Sequence, residues 1–187
     1  PVSVLPPFYK RSEFIDLVAK RIITSLSPGS HLLFSYHSLP ERHLEKSQCV
    51  GLKEKRCIGN ACLPVETVND DYCYRRQCIK TTEQIVKKLG ISEEKYSVSF
   101  QSRLGKTPWI GPSTEETIKS LSERGIKSLT VVCPSFVTDC LESLEEIGFR
   151  LKEDWLKRGG AEFALVPCLN ADDDWIFALQ RWILSSV

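Results

Sequence analysis

Four short apolar runs alternate with helical segments along this chain, and this order restricts the fold more than any other feature of the sequence. Short apolar runs bounded by glycine and proline are typical of strands that are covered on both faces. The runs lie at 32–36, 96–100, 129–133 and 163–166. Because helical patterns separate these runs, we predict a doubly wound α/β fold with a parallel four-stranded sheet and flanking helices.

The segments between these runs carry helical signals. Residues 113–116 form a capping box that opens a helix, and Gly125 follows that helix as a stop signal, as Gly90 does for another. A last helix is predicted over 171–184. Apolar residues mark one face of a longer helix after the third strand, and we expect that face to pack on the sheet. The members of this face are Leu141, Leu144, Ile147, Leu151 and Trp155.

The composition excludes some classes of function. The 187 residues include 25 basic and 24 acidic side chains, and the net charge of +1 gives no attraction to nucleic acid. No apolar run reaches the roughly 20 residues of a membrane span, and no export signal is visible at the N-terminus. We therefore expect a cytoplasmic protein. The absence of any methionine indicates that this chain begins inside a longer protein.

Five cysteines lie within thirty residues, mostly in a stretch from 41 to 71 that fits neither a helix nor a strand. Without an export signal, thiolate ligation of a metal is favoured over disulfides. The spacings C-x7-C, C-x4-C, C-x10-C and C-x4-C lack the C-x2-C pair of common zinc sites, whereas four cysteines are the rule for a [2Fe–2S] centre. Structural zinc and metal-free thiols remain alternatives. The five residues are Cys49, Cys57, Cys62, Cys73 and Cys78.

Polar residues follow each predicted strand. His37 ends the first strand, and residues 101–103, 134–136 and 168–170 follow the other three. Because ligands of open α/β sheets bind outside the carboxyl ends of the strands, we expect these groups to converge on one edge. His37 is the best candidate base, since imidazole exchanges protons near neutral pH. The simpler interpretation is a structural histidine.

Acidic residues follow the third strand. Asp139, Glu142 and Glu146 are spaced i, i+3, i+7 and would share one face of a helix. Converging carboxylates can bind a divalent cation or transfer protons. Acidic residues in a first helical turn and a solvated polar face explain the same pattern more simply.

Trp109 lies in a stiff loop, because prolines at 108 and 112 restrict the backbone around it. The indole could form a wall for a flat aromatic ligand. A tryptophan that only covers the surface is an equally good interpretation.

Three segments together resemble the ferrochelatase family. They are FSYHSLP at 34–40, FQSRLGKTPWIGP at 100–112 and DCLESLEE at 139–146, in the order and spacing of that family. The resemblance covers nearly all of the chain outside a cysteine-rich insertion at 48–70. It matches the C-terminal half of a ferrochelatase over residues 1–187, and the N-terminal half is missing.

The resemblance implies a chelatase-type α/β half and a lyase that inserts ferrous iron into a porphyrin to form haem. His37 and Glu142 match active-site residues of the family, Asp139 and Glu146 match acidic residues along the same helix, and Trp109 matches the indole at the macrocycle pocket. Porphyrin and ferrous iron are the implied partners, with peripheral membrane association of the whole enzyme. This fragment alone is expected to be inactive. A related cobalt or nickel chelatase and a non-catalytic metal-binding module are the alternatives.

The chain departs from the family pattern in two places. Cys140 stands where many members carry a histidine. The insertion is longer and richer in cysteine than in simple members, and it looks like an internal version of the [2Fe–2S] site that some ferrochelatases carry. Cys78 matches a cysteine that also occurs in members without a cluster. The expected ligands are therefore Cys49, Cys57, Cys62 and Cys73, with Cys78 in reserve.

Overall fold

The computed structural model describes residue 2, residues 4–46 and residues 72–185. Within these ranges the chain forms one parallel sheet of four strands in the order β2-β1-β3-β4. Each adjacent pair is parallel. The prediction of a parallel four-stranded sheet is therefore confirmed. The strands are β1, His31–His37, β2, Tyr96–Gln101, β3, Ser128–Val132, and β4, Glu162–Leu165.

Helices connect the strands and flank the sheet. In the described part of the chain they are α1, Ser12–Ser25, α2, Glu41–Lys46, α3, Tyr74–Leu89, a 3-10 turn, Glu93–Lys95, α4, Thr114–Glu123, a π-helix, Glu142–Leu151, α5, Lys152–Lys157, and α6, Asp173–Leu184. The short α2 lies in a stretch for which no helix was predicted. The capping box at Ser113 is present as predicted, and Gly90 ends α3 in the left-handed conformation. No helix among the described residues is long and apolar enough to cross a membrane.

Successive residues of β1 point to opposite faces of the sheet and enter two separate cores. Phe34 and Tyr36 pack with buried residues of α1, α3 and α6. Leu33 packs on the other face with buried residues of α4, the π-helix and α5. Helices thus cover both faces, which confirms the doubly wound arrangement.

The apolar face that we predicted for the helix after the third strand is only partly correct. Trp155 is fully buried, but the side chains of Leu141 and Leu144 are 77% and 55% exposed. The physical reason is that Glu142–Leu151 is a π-helix, whose i→i+5 hydrogen bonds give a wider turn than the α-helix assumed in the prediction. Every fourth residue therefore faces the sheet. The buried positions are Ser143, Ile147, Leu151 and Trp155.

Acid should destabilise the fold through His31, which is buried at the start of β1 with Nε2 bonded to Ser97 Oγ at 2.9 Å. Burial, and then the charge of Arg124, lower the pKa of His31 to about 4. An unfolded histidine titrates near pH 6.5. The stabilising effect of the neutral imidazole is therefore present above about pH 6.5 and is lost as the pH falls from there to about 4. We expect the free energy of unfolding to fall by about 1–3 kcal/mol more in the wild type than in His31→Gln.

Urea unfolding at pH 7 and pH 4.5 measures this difference. His43→Gln, which alters an exposed histidine, is the matched control and should retain the wild-type pH dependence. Equal pH dependence of the free energy of unfolding in the wild type and His31→Gln would show that His31 does not cause the loss of stability in acid.

Candidate active site

The carboxyl ends of β2 and β3 meet the end of β1 at His37 and Ser38, as the sequence predicts for these three strands. The backbone amide of His37 donates to Ser135 Oγ, which follows β3, at 3.1 Å. The Tyr74 hydroxyl donates to the His37 carbonyl at 2.8 Å. Ser38 N–H donates to the Gln101 carbonyl at the end of β2, also at 2.8 Å. The backbone that carries the imidazole is therefore fixed on both sides by neighbouring elements.

One ring nitrogen of His37 forms a hydrogen bond, and this bond determines which tautomer the neutral ring adopts. Nδ1 is hydrogen-bonded to the carbonyl oxygen of Ser38. Because a carbonyl oxygen only accepts hydrogen bonds, Nδ1 carries the proton in the neutral ring. The lone pair is then on Nε2, which can take a proton or bind a metal.

Glu142 opens the π-helix, and its backbone carbonyl accepts from Nε2 of Gln101, the residue that pairs with His37 in the sheet. A hydrogen bond from the Cys140 thiol lowers the pKa of Glu142, and its own backbone amide lowers it further. Burial opposes this slightly, and the charge of a protonated His37 adds a smaller downward shift. Glu142 is therefore a carboxylate at neutral pH.

Glu146 lies one turn further along the π-helix and is held by Ser102. Its carboxylate accepts from Ser102 N–H at 2.8 Å and from Ser102 Oγ at 2.6 Å. Ser102 has φ +66°, a conformation that few residues other than glycine adopt. That conformation directs both donors of one residue to the same carboxylate.

Asp139 is held by the loop after β4. Its Oδ2 accepts from Asn170 Nδ2 at 2.7 Å, and its Oδ1 accepts from Cys168 N–H at 3.2 Å. Burial raises the pKa of Asp139, but these bonds and one from Ser143 outweigh it, and the net shift is downward. Asp139 therefore anchors the start of the π-helix to the end of β4, while Glu142 and Glu146 are held from β2.

Trp109 lies on the same side of the sheet as the segment that follows His37. It forms an isolated antiparallel bridge with Pro40. Its indole N–H donates to the Leu104 carbonyl at 3.0 Å. Ile110 N–H donates to the Leu39 carbonyl, also at 3.0 Å, so the loop is fixed next to the end of β1. The orientation of the indole is therefore determined by its own loop.

Two of the predicted cysteines fall within the described residues. Cys73 directly precedes α3 and Cys78 lies in its second turn, and both are buried. Burial raises the pKa of Cys78, and a hydrogen bond with Tyr74 offsets this only in part. Cys49, Cys57 and Cys62 lie outside the described residues. Within the described ranges, no cluster of three or more His, Cys, Asp or Glu side chains is arranged to hold a metal ion.

A cavity of about 220 Å³ opens beside the end of β1. Its lining includes Tyr36, Tyr74 and Ser135, together with Phe8 and Phe14 from the N-terminal part of the chain. Pockets that enclose a ligand usually measure about 300–1,000 Å³. This cavity alone is therefore too small to enclose a macrocycle. Larger cavities of about 420 Å³ and 390 Å³ lie along the edge of β2 and at the amino end of β1, away from His37.

Sequence reasoning missed the individual roles of Tyr74, Gln101 and Ser102. Their position after a strand indicated residues 101–103 as a group. Nothing in the sequence pattern distinguishes Gln101 and Ser102, which hold the π-helix, from the third residue. Tyr74 follows the cysteine-rich stretch, and no sequence signal connects it with the backbone of His37.

The structure is that of an α/β protein with an imidazole and several carboxylates on the segments that follow its parallel strands. The ferrochelatase family model matches residues 1–187. The chain is 46% identical to a ferrochelatase of Legionella pneumophila over 179 residues, 96% of this chain and 52% of that protein. It is 48% identical to a ferrochelatase of Azotobacter vinelandii over 185 residues, 96% of this chain and 53% of that protein. The chain therefore belongs to the ferrochelatase family.

The chain spans about half the length of these curated relatives. A solved structure, described as a cobalamin (vitamin B12) biosynthesis CbiX protein of Marinobacter aquaeolei VT8, is similar with a TM-score of 0.44 and 10% identity. That similarity covers 83% of this chain and 95% of the other, and it is too low to carry information about function.

Proposed function

We propose that the complete protein inserts ferrous iron into a porphyrin to form haem, and that this chain supplies the histidine and glutamate of the site. The observation that carries the proposal is the position of His37, with its lone pair on Nε2, beside Gln101 in the sheet, together with the hydrogen bond that ties Gln101 to the backbone of Glu142. His37 and Glu142 both stand in the family motifs, and the whole chain matches the family.

The chemistry of metalation fits these groups. A porphyrin loses two pyrrole protons when iron enters, so the site needs an acceptor next to the macrocycle. Nε2 of His37 can take a proton in the neutral tautomer, and its backbone is already fixed. Glu142 can receive a proton or guide ferrous iron, and Glu146 extends the acidic path along the helix. Asp139, held by Asn170 and Cys168, keeps the helix start in place.

The macrocycle would lie against Trp109, whose loop is tied to the segment that follows His37. Because the cavity beside β1 is smaller than a typical ligand pocket, we propose that the rest of the protein completes the enclosure. Residues 1–187 are then the C-terminal half of the enzyme and are inactive alone. Peripheral membrane association and a cytoplasmic location remain predictions from the sequence.

An anaerobic metalation assay with the complete protein tests the function. We expect ferrous iron to enter a porphyrin and give the absorption spectrum of haem. Preferential insertion of cobalt or nickel would instead support the related chelatase. If no metal is inserted although the protein binds iron or zinc, the metal-binding module is the better interpretation.

We also propose that the 48–70 insertion and its neighbours hold a [2Fe–2S] cluster through Cys49, Cys57, Cys62 and Cys73. The donor chemistry fits, since four thiolates are the rule for this cluster. Cys73 is buried immediately before α3, where the stretch meets a rigid element. Cys78 matches a cysteine that also occurs in family members without a cluster, so Cys73 is proposed as the fourth ligand. Structural zinc is the alternative.

A panel of five single Cys→Ser variants of the complete protein tests the ligands. Replacing any of the four proposed ligands should abolish the visible absorption and lower the iron and sulfide content, because a cluster without one thiolate is lost. Cys78→Ser is the matched control and should stay coloured. A colourless wild type reconstituted anaerobically, or one that contains only zinc, would contradict the cluster. If Cys78→Ser loses its colour while Cys73→Ser keeps it, the fourth ligand is Cys78 and not Cys73.

A further inference from the structure

Gln101, the last residue of β2, is a fully buried amide at the centre of the site. Its Cα is the register partner of His37 in β1. Its Oε1 accepts from Ser35 Oγ at 2.7 Å and contacts Cys133 Sγ at 3.6 Å. Its Nε2 donates to the backbone carbonyl of Glu142 at 2.6 Å. One side chain therefore connects the three central elements of the site.

The orientation of this amide is fixed by its neighbours. The Glu142 carbonyl can only accept, so the NH₂ group must face the π-helix and the oxygen must face Ser35. The Ser35 hydroxyl is also within 2.9 Å of Thr114 Oγ1, which lies 3.0 Å from Ser99 Oγ. These hydroxyls are all buried. A buried polar network of this kind is rigid when every member is satisfied.

We propose that Gln101 is a positioning residue that holds the start of the π-helix so that Glu142 stays beside His37. The inference rests on the proposed function. Gln101 touches neither porphyrin nor iron and acts through the Glu142 backbone. Asp139 holds the chain before the π-helix from the side of β4, and Ser102 holds Glu146 one turn further along. Gln101 is the contact from β2 to Glu142, the first residue of the helix.

Gln101→Glu in the complete protein gives a test that a merely structural role would not satisfy. The glutamic acid is nearly isosteric, and while protonated it can still donate to the Glu142 carbonyl and accept from Ser35. Once ionised it has no donor and places a negative charge against that carbonyl. Burial should raise the pKa of this new carboxyl by several units. Compared with the wild type at the same pH, we expect near-equal kcat while the new carboxyl is protonated, and a loss of about tenfold or more once the pH is above its pKa.

Gln101→Met removes the donor without adding a charge. It should lower kcat about tenfold at every pH, leave KM nearly unchanged and add no new pH dependence. Thr130→Val is the matched control, because it deletes a buried hydroxyl whose partner, Ser30, lies at the opposite end of the sheet. It should keep the wild-type kcat and pH profile. Folded Gln101 variants with the same kcat and pH profile as the wild type would overturn the inference.

A carboxyl ¹³C NMR titration of Glu142 separates this inference from the proposed function. If the wild-type complete protein does not metalate porphyrin, the proposed function fails, but Gln101→Met should still raise the pKa of Glu142 towards its ordinary value. An unchanged pKa of Glu142 would overturn the positioning role. Should neither Gln101 variant fold, Ser35→Ala loosens the same amide from its other end and is judged by the same titration.

Discussion

Replacing His37 with alanine in the complete protein should lower the rate of iron insertion by at least about 10²-fold, the low end for loss of a general base. Because Nδ1 is bonded to the Ser38 carbonyl, the lone pair of the neutral imidazole is on Nε2, which is the proton acceptor in the proposed reaction. Its backbone contacts with Ser135 and Tyr74 do not involve the side chain, so the fold should survive the change. Steady-state haem formation under anaerobic conditions, with a circular dichroism check of folding, measures the effect.

His43→Ala is the matched control, since His43 is an exposed histidine on the adjacent helix α2. It should metalate at the wild-type rate. Near-normal turnover of His37→Ala would remove His37 from the proposed mechanism. Loss of activity in both variants would indicate a general effect of histidine removal on the protein.

The fold was predictable because its signals are local. Each strand is a short apolar run, and the capping box at Ser113 marks the start of α4 in the residues themselves. The prediction that Leu141 and Leu144 pack on the sheet was wrong, because local periodicity does not determine which kind of helix forms there. Whether a segment forms an α-helix or a π-helix depends on packing and on contacts from distant residues, and here those contacts include Gln101 and Ser102. A prediction based on 3.6 residues per turn assigns such a segment the wrong face.

The site was predictable only as a set of candidates. The position at the strand ends and the motifs predicted His37 and Glu142 for one region, and in the structure Gln101 pairs with His37 in the sheet and bonds to the backbone of Glu142. The tautomer of His37 depends on the carbonyl of Ser38, and the anchoring of Asp139 depends on a residue that lies 31 positions away. Neither a bond that depends on the side-chain conformation of His37 nor one between residues 31 positions apart leaves a periodic signal in the sequence.

Glu142→Gln in the complete protein should lower iron insertion by about 10²-fold or more, because the amide keeps the size of the side chain but cannot accept a proton or bind a cation. The backbone bond from Gln101 to residue 142 is retained in this variant. Since the pKa of Glu142 is lowered, its carboxylate should stay ionised at neutral pH and be lost only in acid, below the ordinary glutamate value of about 4.3. Haem formation measured across pH tests both statements.

Glu145→Gln gives a matched control on the same helix, because Glu145 is partnered with Arg150 at 2.8 Å in an exposed ion pair. Such pairs contribute little, and this variant should retain wild-type activity. The double variant His37→Ala with Glu142→Gln then separates two mechanisms. If both groups act on one proton path, the double variant should be little slower than the slower single variant, because removing either member already breaks the path. If His37 takes protons while Glu142 guides iron, the two losses act on different steps and should multiply.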